Sequence, residues 1–392
     1  MTRSTLNSRS WLEDLEKYRK ARDTEPVARD PKTGIWNVFR YQDVATVLAD
    51  HRTFSSDFRE VLPNLATFGE GNIVAMDPPR HHQLRGLVSQ AFTPRAIARL
   101  EARVEELTEE LLDRTVDRAE VELVAELAYP LPVTVIAELL GVPAADRPRF
   151  KVWADALLEP GDANPNDAVA MKKATDQIRN FHEYLGDHVA DRRIRSRADL
   201  LGDLVTAEVD GQRLSDPEIV GFATILLLAG HVTTTALLGN AVLCLDEHPD
   251  AQATLRADPA AIPMAIEEVL RYRSPVAQTT RVTTAEVELG GQLIPARQLL
   301  NLWLLSANHD ECQFDRPDEF LIGRHPNPHL GFGKGIHFCI GAPLARLESR
   351  IALDALLGRY SRIRVDPAYP LEPYADPGFN GTRTLHLQVE RA

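Results

Sequence analysis

Apolar residues recur at helical spacing along most of the chain. The pattern predicts helices over residues 11–22, 42–49, 94–115, 125–140, 145–158, 167–198 and 260–273. Ser215, Pro217 and Glu218 give a helix start, and an apolar run then continues to about Glu247. At about 1.5 Å per residue that helix spans nearly 50 Å. It is apolar almost all round, so it is expected to cross the core. A further helix follows Asp77-Pro78-Pro79 and carries Leu84, Leu87 and Val88. Another is marked by Leu344, Leu347, Ile351 and Ala355.

Strand signals are fewer and shorter. They cover Gly34 to Arg40, Gln278 to Val282, Glu286 to Leu289, Gln292 to Ile294, Ile363 to Val365 and Leu385 to Val389. Gly290-Gly291 reads as a turn, Pro160 to Pro165 as a breaker cluster, and Pro377 to Gly381 as a loop. Between His51 and Met76 regular patterning is lost, although Phe54, Phe58, Leu62, Leu65 and Phe68 fall there. Such a segment is a binding loop or a plain surface loop. With no repeat and no interdomain linker, the expected fold is mainly α with small β-sheets, as one large domain over residues 1–392.

Composition narrows the function. The hydrophobic fraction is 44%, enough for a sizeable core. The net charge of −13 argues against a general nucleic-acid binder. No apolar run reads as a membrane span, and the first residues lack a signal-peptide core. Three scattered cysteines, Cys244, Cys312 and Cys339, fit a reducing compartment rather than a disulfide framework. The expectation is a cytoplasmic protein that binds neither nucleic acid nor membrane, and a monomer.

The chemistry concentrates in Phe332-Gly333-Lys334-Gly335-Ile336-His337-Phe338-Cys339-Ile340-Gly341-Ala342-Pro343-Leu344-Ala345-Arg346. Glycines let this loop approach a flat partner. Cys339 precedes a helix start, where free amides and the helix dipole favour a thiolate. No second Cys or His has zinc spacing around it. Alone, such a cysteine is most often a small core residue. On a glycine loop beside Phe332, His337 and Arg346 it suits an axial haem ligand. The stretch closely resembles the cysteine-ligand loop of the cytochrome P-450 family, Phe-Gly-x-Gly-x-His-x-Cys-x-Gly-x-x-Leu-Ala-Arg, at every fixed position.

The resemblance covers nearly the whole chain, from about residue 10 to the end. It implies a P-450-type domain with haem b (iron protoporphyrin IX), whose iron is bound by Cys339. Phe332, Gly341, Ala229 and Gly230 would lie against the haem. His81 and Arg85 share one helical face, and with Arg281 and His337 the resemblance makes them propionate contacts. The Glu-x-x-Arg motif matches Glu268 and Arg271, with Arg324 as a partner bracing the loop to Cys339. In Ala229-Gly230-His231-Val232-Thr233-Thr234 the family's usual acid is replaced by Val232, and His231 points to nearly the opposite face. From the residues alone, Thr233 either offers its hydroxyl to a ligand or bonds back to the preceding turn. The resemblance implies a proton-delivery role for Thr233, assisted by Thr234.

The activity implied is insertion of one oxygen atom from O2 into an organic molecule. Leu65, Phe68, Leu226, Ala229, Val276, Ala277 and Phe379 are the expected pocket residues. Their apolar character suits a lipophilic substrate such as a macrolide, terpene or steroid. No nucleotide-binding fingerprint appears in a strand–helix setting, so electrons are expected from a separate ferredoxin or flavodoxin and its reductase. Arg95, Arg99, Lys334, Arg346 and Arg350 form the candidate docking face. The alternatives are a non-catalytic haem-thiolate sensor or ligand-binding protein, and a peroxide-driven oxygenase.

Overall fold

The computed structural model describes residues 4–58, 61, 70–162, 168–209 and 211–392. Leu65 and Phe68 therefore lie outside the described residues, as do parts of the breaker cluster.

The architecture is mainly α with small sheets, as the pattern predicts. Its axis is the helix Asp216–Glu247. Ser215 accepts from the Glu218 amide, and the Glu218 side chain accepts from the Ser215 amide, so two otherwise orphaned donors are satisfied reciprocally. Helices Pro130–Leu139, Ala168–Ile194, Ile262–Tyr272 and Ala342–Arg359 pack round it. By length and composition this central helix is apolar enough to cross a membrane, which corrects the reading that no run is. However, 72% of its apolar window is buried inside the fold, so its hydrophobicity is already used in the core.

A mixed five-stranded sheet lies to one side. Its order is Val27–Arg29, Trp36–Val38, Leu299–Leu302, Thr279–Thr283 and Phe54–Ser55. Only the Trp36–Val38 and Leu299–Leu302 pair runs parallel. Its own core includes Val38, Val47, Leu300 and Leu302, packed beneath helix Tyr41–Ala49. A second sheet joins Tyr360–Val365, His386–Arg391 and Glu120–Glu122.

Several boundaries differ from the sequence reading. The helix expected over 94–115 is two, Pro94–Ala98 and Glu101–Asp113, because the turn tightens where the Arg99 amide bonds to the Ala96 carbonyl. The stretch 125–140 opens as a π turn, Val124–Ala128, before Pro130 starts a new segment. Proline has no amide to continue the ladder. Helices Leu200–Thr206 and Pro249–Ala257 and strands Val27–Arg29 and Leu299–Leu302 escaped the sequence reading. They are short, and two or three turns carry little periodic signal.

Candidate functional site

The cysteine loop turns tightly before the helix Ala342–Arg359. Gly335 has φ +73°, and a Cβ there would come within 2.6 Å of the Leu48 carbonyl oxygen. A larger residue would push the loop off helix Tyr41–Ala49. The Cys339 amide donates to the Phe332 carbonyl at 2.9 Å, which closes the loop. Gly341 stands at the helix N-cap and Pro343 in its first turn. Backbone amides of Gly341 and Ala342 bond to the sulfur, and Arg85 and Arg346 lie near enough to favour its ionisation. Burial outweighs them and pushes the Cys339 thiol up. This corrects the expectation that the helix start alone favours a thiolate.

Two arginines and two histidines gather at the loop. His81 and Arg85 come from helix Arg80–Ser89, Arg281 from strand Thr279–Thr283, and His337 from the turn before Cys339. The His81 and His337 ring centroids are 4.3 Å apart. Both His81 nitrogens and His337 Nε2 are buried without a hydrogen-bond partner. Arg85 donates to the Phe338 carbonyl at 2.5 Å, and Arg281 to the Thr280 carbonyl at 2.7 Å. None of the four forms an ion pair with a described acid. Burial, reinforced by the neighbouring cations, pulls His81 down to about 4 and His337 to about 3, and burial draws Arg281 down to about 10. A cluster of this kind is costly unless an anion meets it.

Across the cavity runs the central helix. Leu226, Ala229, Gly230, Thr233, Thr234 and Leu237 line the cavity with Cys339, Phe332 and Gly341. Ala229 is exposed although it sits midway along the core helix. Thr233 Oγ1 donates back to the Ala229 carbonyl at 2.6 Å. A Cβ on Gly230 would come 2.5 Å from Ile136 Cδ1, so a larger residue there would require the end of the Ile136 side chain to shift. His231, Val232 and Thr235 face a different cleft on the other side of the helix.

The remaining sequence candidates separate. Val276 lines the cavity. Ala277 does not: it is buried with Leu15 and Leu305 in a small separate core, because the strand start turns it away. Phe379 is not among the lining residues; its backbone pairs with Val276 through a β-bridge and its ring packs against Tyr374. Glu268 and Arg271 are fully buried, bonded at 2.8 and 2.9 Å, and Arg324 Nε reaches Glu268 at 3.1 Å. Arg271 also donates to the carbonyls of Asn308, Pro317 and Glu319. The pair is thus not the exposed, weak one that spacing alone suggests. Arg346 pairs with Glu267 at 2.7 Å and Arg350 with Glu101, so two of the five basic docking candidates are already neutralised.

Sequence reasoning missed Glu348. It is 1% exposed, lines the cavity, has an unpartnered Oε1, and burial raises its carboxyl to about 8. Its place was legible: it lies four residues after Leu344 on the apolar stripe of the last helix.

A buried thiol on a glycine loop, arginines and orphaned histidine nitrogens beside it and a bare helical turn opposite define a haem-thiolate protein. The orphaned nitrogens fit the two carboxylates of a haem, and the thiol fits its iron. Comparison with known proteins agrees. Residues 163–369 match the Cytochrome P450 family model. The chain is 46% identical over 380 residues to the cyclomarin C epoxidase CymV of Salinispora arenicola, covering 96% of this chain and 94% of that one. It is 47% identical to the erythromycin C-12 hydroxylase of Saccharopolyspora erythraea, over 88% of this chain and 86% of that one. The open structure of cytochrome P450 EryK from S. erythraea superposes with a TM-score of 0.90 at 43% identity, over 96% of each chain. The chain belongs to the cytochrome P450 family. It is an oxidoreductase, a haem-thiolate monooxygenase acting on a lipophilic small molecule.

Proposed function

We propose that Cys339 holds the iron of haem b while His81, Arg85, Arg281 and His337 neutralise its propionates. When bound, the haem supplies the oxygen activation. The protein does the rest. Phe332 and Gly341 pack one face, and Ala229 and Gly230 leave space on the other. Leu226 and Val276 give an apolar wall that orients the substrate and excludes water. Thr233 holds a proton at its hydroxyl once that group swings from the Ala229 carbonyl into the cavity, with Thr234 beside it. Val232 offers no carboxylate to this relay, so the hydroxyl draws on water or on the substrate. The Glu268–Arg271–Arg324 trio fixes the chain that leads to Cys339. The chain works as one domain, a monomer in the cytoplasm, with electrons from a separate ferredoxin or flavodoxin.

The observation that carries this reading is the group beside the thiol at an apolar cavity: two arginines with no described acid partner and two histidines with orphaned buried nitrogens. The substrate class follows from that apolar wall and from relatives that act on cyclomarin C and erythromycin: a large, lipophilic natural product, macrolide-like in size. The test is a spectral titration of the purified protein with such compounds, followed by turnover with ferredoxin and reductase. A shift of the Soret band and a product heavier by one oxygen atom are expected. The reduced, carbon-monoxide-bound protein should show the red-shifted band of thiolate-ligated haem, and Cys339→Ser should lose it. An unchanged spectrum in that variant would refute the ligand assignment.

A further inference from the structure

Glu348 is the buried acid that the proposed reaction does not use. It stands in the second turn of the helix Ala342–Arg359, which puts it roughly 10–13 Å beyond Cys339 along the helix. It lines the same cavity as Cys339, Gly341 and Leu344. Its Oε1 is sealed from solvent and has no hydrogen-bond partner, and no described base pairs with the carboxyl. The charges on the elements packed against this helix are engaged elsewhere: Glu267 with Arg346, Glu268 with Arg271, Glu101 with Arg350, Glu109 with Arg359. Arg256 donates to the Leu357 and Tyr360 carbonyls, Arg362 pairs with Glu390 and Arg364 with Asp246, and Arg95 is exposed. Cys244 of the central helix is pushed up by burial to about 12 and is neutral. Burial alone therefore raises the Glu348 carboxyl, to about 8.

A sealed, unpartnered carboxyl responds to any charge gained at the cavity, because little solvent screens it and no counter-charge holds it. We propose that Glu348 is a redox-linked proton site on the cysteine side of the haem: in its ionised form it takes one proton from solvent as the iron gains one electron from the external donor and passes from ferric to ferrous. The proposal rests on the haem-thiolate reading above. The coupling acts through space and needs no contact with a bound molecule. The proton arrives by local opening of the fold, which a measurement at equilibrium allows for. The sign is fixed. Reduction adds negative charge, so the carboxyl holds its proton more tightly in the reduced protein, and the potential is higher where Glu348 is neutral. A unit charge about 12 Å away at an effective dielectric of about 20 changes proton affinity roughly tenfold. For a one-electron couple that is about 59 mV. The fall occurs as pH rises through the folded value, at or above about 8, since a haem in the cavity deepens the burial.

The test is a spectroelectrochemical titration of the haem-loaded protein between about pH 6 and pH 10. Wild type should lose about 59 mV between its acid and alkaline plateaus beyond any change that Glu348→Gln shows. Glu348→Gln should keep the acid-side potential throughout, because its amide stays neutral. Glu348→Asp should restore the step, which a purely structural role would not do. Reduced-minus-oxidised infrared spectra on the alkaline side should show a protonated-carboxyl band that grows on reduction and is missing in Glu348→Gln. A wild-type potential with no such step, or the same pH profile in wild type and Glu348→Gln, would overturn the proposal. So would infrared spectra of the wild type without that band, even if the glutamine variant failed to take up haem. The red-shifted carbon-monoxide band of the same samples reports on the ligand separately: its absence from the wild type would refute the haem-thiolate reading and the proposal with it, whereas its presence without the step would refute the proposal alone.

Discussion

Arg281 gives a test whose sign changes with the haem. The residue is 6% exposed, and the hydrogen bond its guanidinium makes among the described residues goes to the Thr280 carbonyl. Burial draws it well below its ordinary value, to about 10. At 1.36 kcal/mol per pH unit, the charge costs the haem-free fold about 3 kcal/mol. The folded value lies below the unfolded one, so the cost is present throughout the range below about pH 10 and fades only above it. Arg281→Met removes the charge and keeps most of the bulk. It also forfeits one hydrogen bond, worth about 0.5–1.5 kcal/mol. The haem-free variant should therefore be more stable than wild type by about 1–3 kcal/mol, read from the urea midpoint. With haem bound the order should reverse. Loss of a charge-assisted bond to a propionate costs about 1.5–3 kcal/mol, so haem should pass to an acceptor protein roughly ten- to a hundredfold faster. A haem-free variant less stable than wild type, or haem loss at the wild-type rate, would refute the reasoning.

Three further outcomes are expected. Glu268→Ala strands two buried guanidinium groups and should cost about 3–5 kcal/mol in denaturation, whereas Glu268→Ala with Arg271→Met should recover part of it; a loss below about 1 kcal/mol would contradict the bracing role. The Glu348 carboxyl has its folded value raised to about 8, so its contribution is intact below about pH 4.5 and is lost as pH rises toward 8. Glu348→Gln should thus leave haem-free stability unchanged at pH 4 and raise it by several kcal/mol at pH 8; a gain independent of pH would show that packing, not charge, is responsible. Thr233→Ala should retain haem yet divert reducing equivalents to hydrogen peroxide, and full coupling with a true substrate would remove Thr233 from the proton path.

What the sequence could reveal depended on local spacing. The central helix was readable because Ser215, Pro217 and Glu218 mark its start and the apolar run is long. The loop around Cys339 was readable because its glycines and its following helix lie within a few residues of each other. The Glu268 and Arg271 pair was visible at three-residue spacing, but not its complete burial, which comes from the distant segment carrying Asn308, Pro317 and Glu319. Ala277 and Phe379 do not line the cavity in the structure, for the same reason. Each lies close to Val276 in the chain or in the sheet, yet side-chain direction at a strand edge is set by tertiary contacts. Gly230 shows a subtler limit. A glycine mid-helix signals a close neighbour, but the neighbour in the structure is Ile136, which no spacing rule connects to it.

Cys339 shows how far local chemistry can mislead. Amides at a helix start and two nearby arginines all favour its ionisation, and each is visible in the sequence. Desolvation opposes them, depends on the whole fold, and is the larger effect. Arg346 adds less than its position promises, because Glu267 holds its guanidinium through two bonds of 2.7 Å. Burial thus works against a thiolate stored in advance at Cys339. If Cys339 holds the haem iron as proposed, coordination would supply the driving force for losing the thiol proton. The amides of Gly341 and Ala342 would then be placed to donate to a ligating sulfur and moderate its charge. On this account the glycine loop, Gly341 and the buried setting suit a ligated state, and the two arginines and two histidines gathered beside the loop, with the orphaned His81 and His337 nitrogens, suit the carboxylates of the same group.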